Sequence, residues 1–309
     1  MRPAAEASGL DGVLVLDKPP GMTSHDVVGA LRRLTGQRRA GHTGTLDPAA
    51  TGVLPICLGQ ATRAAEYLLA QDKEYRAEVT FGRATDSHDA MGQAVARAGA
   101  EGLTAGDLEE ALKCFRGVIQ QVPPMVSALK VGGKRLYELA RQGLEVEREA
   151  RQVTIHRLQL LEFRPGSEAT AILDIACSKG TYIRSLARDL GETLGTGAFL
   201  SSLRRTRSGA FRLEDARSLE EVAEAAKQER VGELLLTLDA ALSYLPGLTV
   251  TETQARALAQ GRQPFEMGLG FAGEGLVRLS LPGGILVALA APGRRGLTTE
   301  KVLRHNARF

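Results

Sequence analysis

The residues of this 309-residue chain best placed for chemistry surround one carboxylate, Asp47, in Gly41-His42-Thr43-Gly44-Thr45-Leu46-Asp47-Pro48. Pro48 biases Asp47 away from the helical region toward an extended backbone. Gly41, Gly44 and Gly52 admit backbone angles, or close approaches, that other residues do not. Alone, an Asp-Pro turn is most often a solvated surface feature. Here it lies between two apolar segments, residues 12–16 and 52–57. A carboxylate held in such a place can serve as a nucleophile or a base.

The elements around it follow from periodicity. Residues 12–16 read as a short buried strand, followed by the turn Asp17-Lys18-Pro19-Pro20-Gly21. Ser24 is the expected N-cap of a helix whose apolar face is Val27, Val28, Leu31 and Leu34, and Gly36 is its stop. A helix is expected over 61–70. Residues 74–82 alternate with Tyr75, Ala77, Val79 and Phe81 on one face, so Tyr75 points inward from a half-buried strand. Thr104 and Asp107 form a capping box for a helix through Phe115. Further helices are expected over 134–142, 182–194 and 218–227, and strands over 153–163 and 169–177. Past residue 246 the texture changes to one short helix (252–259) and strands near 275–281 and 285–290, and the segment ends in 297–303. A domain boundary near 246 leaves about 60 residues, enough for a small β-rich module.

Composition narrows the class. Apolar residues at 43% and charged residues at 24% describe an ordinary soluble globular protein. Residues 1–9 contain no apolar signal core and no run suits a membrane span, so a cytoplasmic protein is expected. Cys57, Cys114 and Cys177 have neither disulfide nor zinc spacing, and at least two should be buried thiols. The net charge of +3 is segregated. Arg32, Arg33, Arg38 and Arg39 share an acid-free stretch, as do Arg204, Arg205, Arg207 and Arg212. Arg294, Arg295, Lys301, Arg304 and Arg308 face only Glu300 near the end. Such clustering suits a polyanion-binding face, although each run alone could be a solvated surface.

Four segments, in order, resemble the TruB family of pseudouridine synthases: the Asp47 loop, Asp72-Lys73-Glu74-Tyr75-Arg76, Cys177-Ser178-Lys179-Gly180-Thr181-Tyr182-Ile183-Arg184, and Ser202-Leu203-Arg204-Arg205. The resemblance runs from about residue 12 to 212. It implies that uridine 55 in the T loop of tRNA is isomerised without cofactor or metal. The reaction breaks the N1–C1′ bond, turns the uracil and rejoins it through C5. By the same resemblance Asp47 is catalytic, Arg184 pairs with it, and Tyr75 packs on the uracil. Leu203 walls the base's other face, while His42, Lys18, Tyr182, Arg204 and Arg205 contact the substrate. A guanidinium suits the Arg184 role, because a fixed cation opposes the protonation that desolvation imposes on a carboxylate.

The implied fold is α+β: a mixed, mostly antiparallel central sheet with flanking helices, and a small β-rich, PUA-like C-terminal domain. Residues 1–245 would be catalytic, with an RNA-gripping insertion at about 120–151, and 246–309 would bind RNA. That insertion region holds seven basic residues against four acids over 116–151. The expected partner is the T stem-loop of tRNA, with no membrane, no obligate protein partner and a monomeric state. Alternatives are a same-fold synthase acting on another RNA, or an RNA-folding factor whose binding matters more than catalysis. His88 lies among Asp86, Ser87 and Asp89, read as a surface loop rather than a metal cluster. No Gly-x-x-x-x-Gly-Lys-Ser/Thr occurs, which excludes a P-loop.

Overall fold

A computed structural model describes residues 9–127, 130–131, 134–136, 142, 144 and 146–303. The chain divides into two units: residues 1–48, 53–70 and 209–309 form the first, and 49–52 with 71–208 the second.

In the first unit, β1 (Gly12–Lys18) lies beside β3 (Thr51–Leu58), whose first two residues belong to the second unit. β2 (Ala40–His42) pairs antiparallel with β3, setting Gly41 opposite Cys57 and His42 opposite Ile56. Helix α1 (Ser24–Thr35) buries Val27, Val28 and Leu31 and ends at Gly36, which takes the left-handed conformation at φ 66°. Its N-cap is Thr23, not Ser24: Thr23 and Asp26 close a reciprocal capping box. Ser24 is thereby released for another role. The helix expected over 61–70 is a 3-10 turn (Gly59–Ala64) followed by the short α2 (Ala65–Leu69), because neither start carries a side-chain cap. The core joins Val13, Val15, Val53, Cys57, Ala64 and Leu68 to Phe211 and Leu242.

The later part of this unit contains β13 (Phe211–Arg212), α5 (Leu219–Lys227) and α6 (Leu238–Ala241). A second sheet then follows in the order β14 (Gly247–Thr249), β15 (Val277–Leu281), β16 (Ile285–Gly293) and β17 (Gly296–Val302). Helix α7 (Glu252–Ala259) packs on it through Ala255 and Leu258, over a core that includes Val277, Leu279 and Val287. Leu286, Leu289 and Leu303 reach the core built from β1 and β3 as well.

The second unit is organised on five antiparallel neighbours in the order β12 (Ala198–Ser208), β4 (Lys73–Phe81), β11 (Thr170–Cys177), β10 (Arg151–Arg164) and β7 (Gly117–Gln121). Thr51 and Gly52 add a parallel step against Arg204 and Arg205, which makes the sheet mixed but mostly antiparallel. The hairpin β5 (Arg83–Thr85)–β6 (Ala94–Arg97) carries residues 86–93 at its tip. α3 (Ala105–Lys113) starts at the Thr104–Asp107 capping box. α4 (Ile183–Thr193) buries Ile183, Leu186, Ala187 and Leu190 and packs against β12. Of the helix expected over 134–142, Lys134–Arg135 is instead β9, paired with β8 (Lys130–Val131), while Leu136 is helical. Two-residue Gly-Gly connections favour hairpins, and most of the remaining stretch lies outside the described residues.

Strand β12 has no apolar alternation to announce it. Its second half reads Leu203-Arg204-Arg205-Thr206-Arg207-Ser208, yet it is hydrogen bonded on one side to β4 and on the other to Thr51–Gly52.

Candidate active site

In the first unit, the Asp47 loop is fastened by its backbone. The Ser24 hydroxyl accepts from Leu46 N–H (2.9 Å) and contacts Leu46 C=O (3.2 Å), so one buried side chain holds both ends of that residue. On the other side of Asp47, the ammonium of fully buried Lys18 donates to Pro48 C=O (3.1 Å) and Pro19 C=O (2.8 Å). Gly21 N–H donates to the same Pro48 oxygen. Thr43 N–H donates to Pro55 C=O, and Gly44 N–H donates to Nδ1 of His42. Asp47 is half-buried between these anchors. A buried ammonium is tolerated only when oxygens surround it, and here one belongs to its own turn, at Pro19, and the other to Pro48, the residue after the carboxylate. Lys18 therefore acts on the backbone of the loop. The neighbouring Ser24, expected as a helix cap, is a loop anchor.

In the second unit, Tyr75 sits in the middle of β4 opposite Ile175 on β11 and Arg205 on β12. It is buried, as the alternation predicts. Arg205 is 1% exposed and its guanidinium is hydrogen bonded with the Tyr75 side chain. Burial pulls the Arg205 pKa down, and the Tyr75 oxygen partly opposes this. The backbone of Arg205 packs against Gly52, where φ is +100° and an added Cβ would lie 2.2 Å from the Arg205 carbonyl oxygen. Arg204 alternates to the exposed face, and Leu203, opposite Ala77, is half-buried.

The arginine run expected as one polyanion-binding face is thus divided by the pleat. Arg204 is exposed and Arg205 lies in the core, so Arg205 is not part of a phosphate-facing surface. Arg207 is ion-paired with Glu74 at 3.0 Å. Glu74 also receives Arg157, whose second partner is Asp174. Arg304 and Arg308 lie outside the described residues.

Arg184, in the first turn of α4, is 4% exposed. Its Nη2 donates to Val126 C=O (2.7 Å), its Nη1 donates to Ser87 C=O (3.3 Å), and Asp89 lies 3.7 Å from Nη1. Tyr182, half-buried, is the N-cap residue of the same helix. Asp89 was visible in the sequence only as one member of a polar loop. Its neighbour His88 has φ 61° and a buried Nδ1 without a hydrogen-bond partner among the described residues. Burial, with Arg188, Arg184 and Arg148 nearby, pushes the His88 pKa down to about 4. The loop read as plain surface therefore supplies two of the groups that hold Arg184. No group of three or more His, Cys, Asp or Glu among the described residues is arranged to hold a metal ion. Cys57 and Cys177 are buried free thiols, and Cys114 is exposed.

The first unit thus presents Lys18, His42 and Asp47, and the second Tyr75, Tyr182, Arg184 and Leu203–Arg205. The first unit contributes an anion on an anchored loop, and the second a buried guanidinium and a buried aromatic ring.

Comparison with known proteins identifies the family. Residues 32–183 match the TruB family pseudouridylate synthase (N terminal domain), and residues 184–243 match the tRNA pseudouridylate synthase B C-terminal domain. The chain is 59% identical over 258 residues to tRNA pseudouridine synthase B of Symbiobacterium thermophilum, covering 84% of each chain. It is 44% identical to the protein of the same name from Pelotomaculum thermopropionicum, covering 95% of each. Among solved structures, a Cbf5-Nop10-Gar1 complex contains a chain with a TM-score of 0.73 and 28% identity, aligned over 96% of this chain and 86% of that one. The mixed α+β fold with its C-terminal β-sheet is accordingly that of a pseudouridine synthase, and the chain belongs to the TruB family of pseudouridylate synthases.

Proposed function

We propose that this protein isomerises uridine 55 in the T loop of tRNA to pseudouridine, with Asp47 as the catalytic carboxylate. The observation that carries the reading is the anchoring of the Asp47 loop. A carboxylate whose flanking backbone is held by Ser24 on one side and Lys18 on the other meets the target uridine with little reorganisation, and fixed geometry is worth several kcal/mol in rate. Asp47 supplies the anionic oxygen that opens the N1–C1′ bond. Arg184 pairs with Asp47 and keeps it ionised once the pocket excludes water. Tyr75 packs on the extruded uracil, Leu203 closes its other face, and Tyr182 and His42 hold the flanking loop nucleotides.

Arg204 faces phosphate, and Arg205 serves from behind by holding Tyr75. Residues 246–309 act as a PUA-like RNA-binding module beside a catalytic domain of 1–245, and residues 120–151 grip the RNA. The protein works in the cytoplasm as a monomer on tRNA, without metal, cofactor or obligate protein partner. The relatives named tRNA pseudouridine synthase B support this substrate. The test is to incubate the purified protein with unmodified tRNA transcript, and separately with its isolated T stem-loop, and to map pseudouridine at nucleotide resolution. Conversion at position 55 in both RNAs is expected. Conversion elsewhere, or a hairpin that stays inert while tRNA reacts, would overturn the site-centred reading.

A further inference from the structure

Gln121, the last residue of β7, is 2% exposed and its carboxamide is committed to the backbone of one residue. Its Oε1 accepts from Tyr182 N–H (2.8 Å) and its Nε2 donates to Tyr182 C=O (3.0 Å). A side-chain amide here does what a neighbouring strand does elsewhere, satisfying donor and acceptor of a single residue. Tyr182 is an extended N-cap (φ −101°, ψ 109°) whose own side chain does not cap the helix. Its carbonyl also accepts the first intrahelical bond, from Leu186 N–H. Gln121 therefore fixes the peptide from which α4 starts, two residues before Arg184.

The next few residues continue the attachment. Val122 C=O accepts from the fully buried Ser185 hydroxyl (2.8 Å), and Val126 C=O accepts from Arg184 Nη2 (2.7 Å). Between these carbonyls stand Pro123 and Pro124, both buried. Prolines fix φ and lack N–H groups, so the stretch from Gln121 to Val126 is a stiff spacer that needs few partners of its own. One end is pinned to the helix start by Gln121, and the other ends on the guanidinium. Methionine would fill the same volume, but it would leave the N–H and C=O of Tyr182 without this partner.

We propose that Gln121 is a positioning residue for Arg184: it fixes the start of helix α4 and, through the Val122–Val126 spacer, the carbonyl that aims the guanidinium. This rests on the role proposed for Arg184. The spacer opens the 120–151 segment proposed to grip RNA, but Gln121 itself is buried against the start of α4, so its loss is read in rate rather than in affinity.

The test is a double-mutant cycle on the full-length protein with tRNA transcript, reading the single-turnover rate, tRNA affinity and melting temperature. Gln121→Met is expected to lower the single-turnover rate roughly tenfold, equivalent to about 1.4 kcal/mol, with tRNA affinity changed less than about twofold. Made in an Arg184→Lys background, the same substitution should cost less than about threefold, because residues acting through one another are not additive. Gln121→Glu, which keeps the acceptor for Tyr182 N–H but loses the donor, should fall between the two and enters the same cycle if the Met variant does not fold. Equal fold-losses in both backgrounds, an unchanged rate, or loss of the folded state in both variants would overturn the proposal. Native-like activity of Arg184→Lys alone would instead sink the role of Arg184, a separate failure.

Discussion

Replacing Ser24 by alanine removes one hydroxyl and disconnects two backbone groups. Ser24 and Leu46 are 2% and 3% exposed, so water does not readily take over the bonds of 2.9 and 3.2 Å. A buried polar group left unmade costs about 1–3 kcal/mol, so the two together cost about 2–6 kcal/mol if the loop keeps its place. With a urea slope of about 3 kcal/mol/M, the midpoint should fall by roughly 0.7–2 M. If the loop relaxes instead, the stability loss shrinks and the single-turnover rate falls, because Asp47 follows Leu46 directly in the chain. Urea titration and single-turnover pseudouridine formation on the same preparation separate the two responses. A Ser24→Ala protein with native midpoint and native rate would refute the reasoning, since the lost bonds must surface in one readout or the other.

Arg184→Lys should lower turnover at least about tenfold, the equivalent of one charge-assisted hydrogen bond. An ammonium cannot serve the Ser87 and Val126 carbonyls and Asp89 with the same planar fork; comparing single-turnover rates checks it. Arg204→Glu should weaken tRNA binding and flatten its salt dependence. Arg205→Met should leave the salt slope alone and lower the melting temperature, because that guanidinium is enclosed. The folded-state pKa of His88, about 4, lies below its ordinary 6.5. The folded protein therefore binds fewer protons there, and the stability this gives above pH 6.5 is lost as pH falls toward 4. His88→Asn, tolerated at positive φ, should lose less stability than the parent across that window in acid denaturation.

Much of the fold was legible because its elements follow simple periodic rules. The alternation around Tyr75, the Thr104–Asp107 capping box and the 252–259 helix stand where the pattern puts them. The Asp47 loop was legible from its glycines and proline. Strand β12 was not, because its second half carries arginines that a period-two reading assigns to a surface. One of them is buried against Tyr75 and another is paired with Glu74. Ser24 was misassigned because Thr23 and Ser24 are equally good caps by type, and Asp26 three residues on selects Thr23. Asp89 and Gln121 escaped because their partners are Arg184 and a backbone peptide far away in sequence. Such long-range bonds leave no local pattern.

The central claim is that the Asp47 carboxylate does the chemistry. Asp47→Asn keeps the size and the loop anchors at Leu46 and Pro48, which are backbone groups, while removing the anion. The direct measurement is single-turnover conversion of uridine 55 in tRNA by purified Asp47→Asn protein, with tRNA affinity measured alongside. The account predicts no detectable pseudouridine and near-native binding. Appreciable conversion by a folded, tRNA-binding Asp47→Asn protein would contradict it.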